Sequence, residues 1–124
     1  MEHITLEEYK QLQQKGNSKY KAKKVVIDGI KFDSQKEGSH YQELKLLEKR
    51  GIIKNLKLQT RFELQPSYKK NGKTIRAINY IADFTYFLNG KLIVEDTKGF
   101  RTEVYKLKKK IFEYKYPELE IKEV

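Results

Sequence analysis

The chain has 124 residues, enough for one domain with one core. Lys and Arg outnumber Asp and Glu by 27 to 17, giving a net charge of +10, and there is no cysteine. That excludes a disulfide framework and a thiolate metal site, and two histidines are too few for a histidine zinc centre. Nine tyrosines, six phenylalanines and regular apolar runs argue against disorder. No apolar run approaches a membrane span and no signal peptide opens the chain, so a soluble cytoplasmic protein with no membrane partner is expected. The positive charge points to a polyanion, and nucleic acid is the favoured one.

In chain order, ITLEEYKQLQQKG reads as a short helix, with Thr5 and Glu8 at capping-box spacing and Gly16 as its stop. With its linker it forms an N-terminal extension over residues 1–18, ahead of a single domain over 19–124. A basic arm follows, Lys19, Tyr20, Lys21, Lys23 and Lys24, suited to phosphate contact with tyrosine available for stacking. KKVVIDGIKF predicts a hairpin turning at Asp28-Gly29. A helix is expected from Ser34 to Arg50, stopped by Gly51. LQTRFELQPSY predicts a strand, NGK at 71–73 a turn, and TIRAINYIADFTYFL one long strand. Asn89-Gly90 turns the chain into KLIVEDTKG. The last helix has Thr102 as N-cap and Pro117 beyond its end, and it is expected to bury Val104, Leu107, Ile111 and Tyr114. LEIKEV predicts a final strand. The order helix, three strands, helix, strand predicts an α/β (α+β) domain, a mixed sheet flanked by helices.

Two strands around Asn89-Gly90 set a register in which opposed positions sum to 179. Asp83 then faces Asp96, and Lys98 shares their side, whereas Glu95 opposes Phe84 and points to the other side. Two facing carboxylates repel unless they share a proton or a cation. Oxygen donors without cysteine or histidine favour Mg²⁺, with Mn²⁺ as a substitute. A bulge would move Asp96 away and bring Glu95 in. A solvent-exposed sheet face with scattered charges is the plainer alternative.

Asp83 followed by Asp96-Thr97-Lys98 after a hairpin resembles the PD-(D/E)XK nuclease superfamily. The order αβββαβ is similar to its restriction-endonuclease-like core, here with an extra N-terminal helix and hairpin. DGIKFDSQKEGSHYQELKLLEKRGII, ADF and VEDTKG together resemble small phage and prophage endonucleases related to Holliday junction resolvases, across residues 19–124. The resemblance implies Asp83 and Asp96 as metal ligands, the Thr97 carbonyl as a further one, and Lys98 as the catalytic lysine. Ala82 stands where the superfamily name has proline. It also implies an active-site glutamate on the first helix. Glu37 is preferred for that role, directly or through water, over its alternative as the N3 position of a capping box begun by Ser34. Lys108 either snorkels or reaches the scissile phosphate. Gln59 either faces the site or satisfies a strand-edge hydrogen bond, and the second is preferred. The expected activity is Mg²⁺-dependent hydrolysis of DNA phosphodiesters. The expected substrate is branched DNA such as Holliday junctions, in phage recombination or replication, cut by a homodimer. The alternative is a catalytically inactive nucleic-acid-binding accessory protein of a phage.

Overall fold

The computed structural model describes residues 24–97 and 101–124, arranged as a mixed α+β fold. It divides into two compact units between Glu43 and Leu44. The predicted N-terminal helix, the arm residues Lys19, Tyr20, Lys21 and Lys23, and Lys98 lie outside the described residues.

In the first unit, β1 (Val25–Ile27) and β2 (Ile30–Phe32) form an antiparallel hairpin. Its two-residue loop puts Asp28 at φ 54° and Gly29 at φ 77°. Positive φ at both loop positions matches the right-handed twist of the strands, and Asp-Gly adopts it readily. Helix α1 (Gln35–Lys49) begins in this unit and ends in the second. Ser34 caps it: its Oγ accepts from the Glu37 N–H at 3.1 Å. Tyr41 donates to Asp28 Oδ2 at 2.9 Å and its ring lies 5.0 Å from that of Phe32, so the helix is tied to the hairpin. Gly38 permits the close approach. A Cβ there would sit 2.8 Å from Val25 Cγ2 and 2.9 Å from Ile27 Cδ1.

The second unit is built on a four-stranded sheet in the order β3-β6-β7-β8. Its strands are β3 (Lys54–Gln65), β6 (Ile78–Leu88), β7 (Lys91–Asp96) and β8 (Ile121–Glu123). β6 pairs antiparallel with both β3 and β7, and β8 lies parallel to β7. A parallel neighbour needs a crossover, and α2 (Glu103–Lys115) supplies it. Thr102 caps α2, its Oγ1 accepting from the Tyr105 N–H at 3.0 Å. One core cluster joins Leu64, Tyr80, Ala82, Val94, Ile121 and, from α2, Tyr105 and Phe112.

Two expectations need correction. The segment 74–88 is not one strand. Residues 73–75 form β5 (Lys73–Ile75), which pairs with β4 (Tyr68–Lys70) in a separate two-stranded ribbon, and pairing resumes at Ile78. Asn71-Gly72, at φ 52° and 76°, is a hairpin turn that draws the chain back before it reaches the main sheet. The buried face of α2 is also not the predicted one. Val104, Leu107 and Tyr114 are 61%, 58% and 87% exposed, whereas Tyr105 and Phe112 are buried and Ile111 is partly so. Two apolar stripes compete on this helix. The aromatic one wins because large rings remove more apolar surface from water. Phe112 meets Phe62 edge-on at 5.0 Å and Tyr116 at 5.1 Å.

Candidate active site

The β6–β7 register runs from Leu88↔Lys91 to Phe84↔Glu95 without a bulge, each pair summing to 179. Glu95 therefore shares the side of Phe84 and Tyr86, and the Tyr86 hydroxyl donates to Glu95 Oε2 at 2.5 Å. The next position along each strand is Asp83 and Asp96. There the backbone ladder stops and side chains take over. Asp83 Oδ2 accepts from the Thr97 N–H at 2.9 Å and from Thr97 Oγ1 at 2.8 Å. Asp96 is 0% exposed, and its Oδ2 accepts from the Tyr80 hydroxyl at 2.6 Å.

Asp83 sits where its strand changes phase. Ala82 and Val94 both belong to the core packed against α2, yet the ladder sets Val94 opposite Thr85. Strict alternation from Ala82 would put Phe84, not Thr85, on that side. The neighbouring strand shows the matching irregularity. Gln59, next to Leu58↔Phe84 and Thr60↔Ala82, takes φ 53° inside β3. Thr60 and Thr85 hydroxyls meet at 2.7 Å across the break. The Gln59 side chain donates to Asp83 Oδ1 at 3.3 Å. The preferred strand-edge role for Gln59 is thus replaced by a direct contact with the candidate ligand.

Three bonds converge on the Asp83 carboxylate, one on Oδ1 and two on Oδ2. An ionised carboxylate has about four acceptor positions, so roughly one remains for a further partner. Tyr80 registers both aspartates. Burial, the bond to Asp96 and the charges of Asp96 and Asp83 push its phenol far above the ordinary tyrosine value. Tyr105 behaves alike. Burial comes first, then its 2.8 Å bond to Glu123 Oε2 and the charge of Asp96, while Arg101 opposes the rise. Glu123 pairs with Asp96 in the parallel ladder, and Arg101 lies 3.4 Å from its Oε1. At the carboxyl end of β7, then, Tyr80 serves Asp96 and Tyr105 serves its ladder neighbour Glu123, with Arg101 beside Glu123.

Sequence reasoning missed Tyr80, Tyr105, Glu123 and Arg101. Tyr80 was legible as a core-side position in the Tyr80, Ala82 alternation. Glu123 was readable only by joining the final strand to β7 through the helix, because parallel pairing brings distant residues side by side. The other candidates stand as follows. Glu37 is buried at the start of α1, in the first unit, with its N–H on the Ser34 cap. Thr97 offers its N–H and hydroxyl to Asp83. Lys108 is half-buried on α2, and Lys24 is exposed before β1. Among the described residues, no three His, Cys, Asp or Glu side chains gather into a ready metal cage.

These features define a class: a mixed-sheet α+β protein with acidic side chains at the carboxyl end of a parallel strand, at the entry to the crossover helix. That end of a parallel strand is where α/β proteins commonly place ligands. The chain belongs to the family described as protein of unknown function, DUF1064, which it matches over residues 17–124. No curated protein and no solved structure matches it.

Among the described residues, no helix is long and apolar enough to cross a membrane.

Proposed function

We propose that this protein is a metal-dependent DNA endonuclease of the PD-(D/E)XK type, acting on branched or otherwise structured DNA. The observation that carries this reading is the arrival of Asp83 and Asp96 at the end of the β6–β7 ladder, Asp83 held by Thr97 and Asp96 by Tyr80. Carboxylates gathered at one strand end repel one another, and a bound cation relieves that repulsion. The donor set fits a hard cation. Asp83 and Asp96 would hold Mg²⁺ or Mn²⁺, which there would supply an activated water and stabilisation of charge on the phosphate. Thr97 and Gln59 fix the Asp83 carboxylate, so its orientation is set before any ligand arrives. Lys98, two residues past Asp96, is assigned the stabilisation of negative charge on the scissile phosphate. The basic arm, Lys19 to Lys24, is assigned to flanking backbone. A homodimer would cut two strands symmetrically.

A second reading rests on the complete burial of Asp96 and its short bond to Tyr80. Both suit a structural carboxylate in a non-catalytic binding protein. Cleavage of linear, forked and four-way DNA with Mg²⁺ or Mn²⁺ separates the two. On the nuclease reading, Asp83→Asn, Asp96→Asn and Lys98→Ala each abolish cutting in variants that stay folded by circular dichroism. Glu95→Gln is milder, because Glu95 faces the Tyr86 side of the sheet. A folded wild type that cuts none of these substrates with either metal would establish the binding reading.

A further inference from the structure

Between β3 and β6 the chain leaves the main sheet to build the β4–β5 ribbon, and the core makes no use of it. All six of its strand residues are exposed. The stretch PSYKKNGKTIRA, residues 66–77, carries Lys69, Lys70, Lys73 and Arg76 and no acid. Among the described residues, none of these four cations pairs with a carboxylate. Lys70 and Lys73 are directly opposed in the ladder, flanking the Asn71-Gly72 turn. Like charges directly opposite weaken a hairpin. Nothing within the ribbon offsets that repulsion, whereas an anion lying between the two ammonium groups would.

We infer that the β4–β5 ribbon is a nucleic-acid-binding finger that lies in a groove of duplex DNA, with Lys70 and Lys73 on phosphates. This rests on the nucleic-acid partner of the proposed function, but assigns it a surface other than the acidic site. Shape and charge agree. A two-stranded ribbon fits the major groove, about 12 Å wide. Three residues per strand give a finger about 10 Å long. Its turn is Lys70-Asn71-Gly72-Lys73, polar and charged throughout. A membrane-inserting hairpin would carry apolar residues at the turn, and here the exposed apolar pair, Tyr68 and Ile75, sits at the base.

The test compares Lys70→Ala/Lys73→Ala with Lys54→Ala/Lys91→Ala. The second pair removes the same charge from exposed positions near the Asn89-Gly90 turn. Binding to duplex and four-way DNA is measured across a salt series without divalent metal, so that no cleavage intervenes. The ribbon variant is expected to lower the slope of log affinity against log salt by about two, one for each phosphate no longer neutralised. The control pair should change it by less than half as much. The thermal midpoint of the ribbon variant should hold or rise, since a repulsive pair has gone. Equal effects from both pairs would reduce the ribbon to diffuse charge and overturn the inference. So would unchanged DNA binding, or abolished binding to phosphatidylserine vesicles with DNA binding kept. Failure of cleavage on every substrate, with the ribbon effect intact, would remove the nuclease reading and leave the finger standing.

Discussion

Tyr80 is the residue on which most of the candidate site turns. Its hydroxyl donates to a carboxylate with no exposure at all, and its ring packs 5.4 Å from Phe112. Removing a donor from a buried charged acceptor costs roughly 1–3 kcal/mol, more than a neutral hydrogen bond contributes. Tyr80→Phe should therefore lower stability by about that much in denaturant unfolding, with the ring packing kept. An unchanged midpoint would mean that Asp96 does not depend on this hydroxyl. Glu95 has the matching arrangement on the opposite side of the sheet, where Tyr86 plays the donor. Two adjacent acids on one strand are thus each served by a tyrosine from β6, one on either face.

At the scale of elements, α2 shows how a sequence pattern can mislead. Its residues support two apolar stripes about one position apart, and only packing decides between them. Phe112→Ala should cost about 3–5 kcal/mol, as for other buried aromatics. Val104→Lys with Leu107→Lys should stay within about 0.5 kcal/mol of the parent per site, as surface changes usually do. Urea unfolding measures both, and the reverse ranking would restore the predicted face. The turns were far more legible. Asp28-Gly29, Asn71-Gly72 and Asn89-Gly90 all occur where the dipeptides stand, because positive φ is a local demand with a local solution. Helix caps at Ser34 and Thr102 were readable for the same reason. The register through Phe84↔Glu95 followed from one turn. The phase change beside Asp83 did not, since it depends on Gln59 in a different strand. The β4–β5 ribbon was hidden because Thr74 to Leu88 is apolar enough to read as continuous, and the break at Arg76-Ala77 carries no turn residue.

For the whole molecule, two properties can be read against pH and salt. Tyr80, Tyr86 and Tyr105 all have phenols raised by burial first, then by carboxylate partners. A raised folded value favours the protonated phenol in the native state. The resulting stability is fully present below the unfolded value near 10 and is lost as pH climbs beyond it. The phenolate absorbance of these three should therefore appear together with loss of the circular dichroism signal above pH about 10. Phenolate formation in an intact fold would contradict the buried pairs. The net charge of +10 acts in the other direction, by self-repulsion at neutral pH. Salt shortens the screening length from about 30 Å at 0.01 M to about 10 Å at 0.1 M. The thermal midpoint should rise over that range. A fall would show that attractive surface pairs outweigh the repulsion.

On the proposed function, Gln59 places two selective pressures in conflict. A left-handed backbone inside a strand is strained for any residue with a Cβ, at a cost on the order of 1 kcal/mol or more, and glycine escapes it. Gln59→Gly should therefore be neutral or stabilising in thermal unfolding, while it deletes the amide that reaches Asp83 Oδ1. On the nuclease reading proposed above, metal affinity and cleavage should fall as the fold holds or strengthens. A library screened for heat resistance alone would drift toward glycine here, and, on that reading, one screened for turnover would keep glutamine. The amino acid at this one position would then reveal which pressure a lineage has lived under.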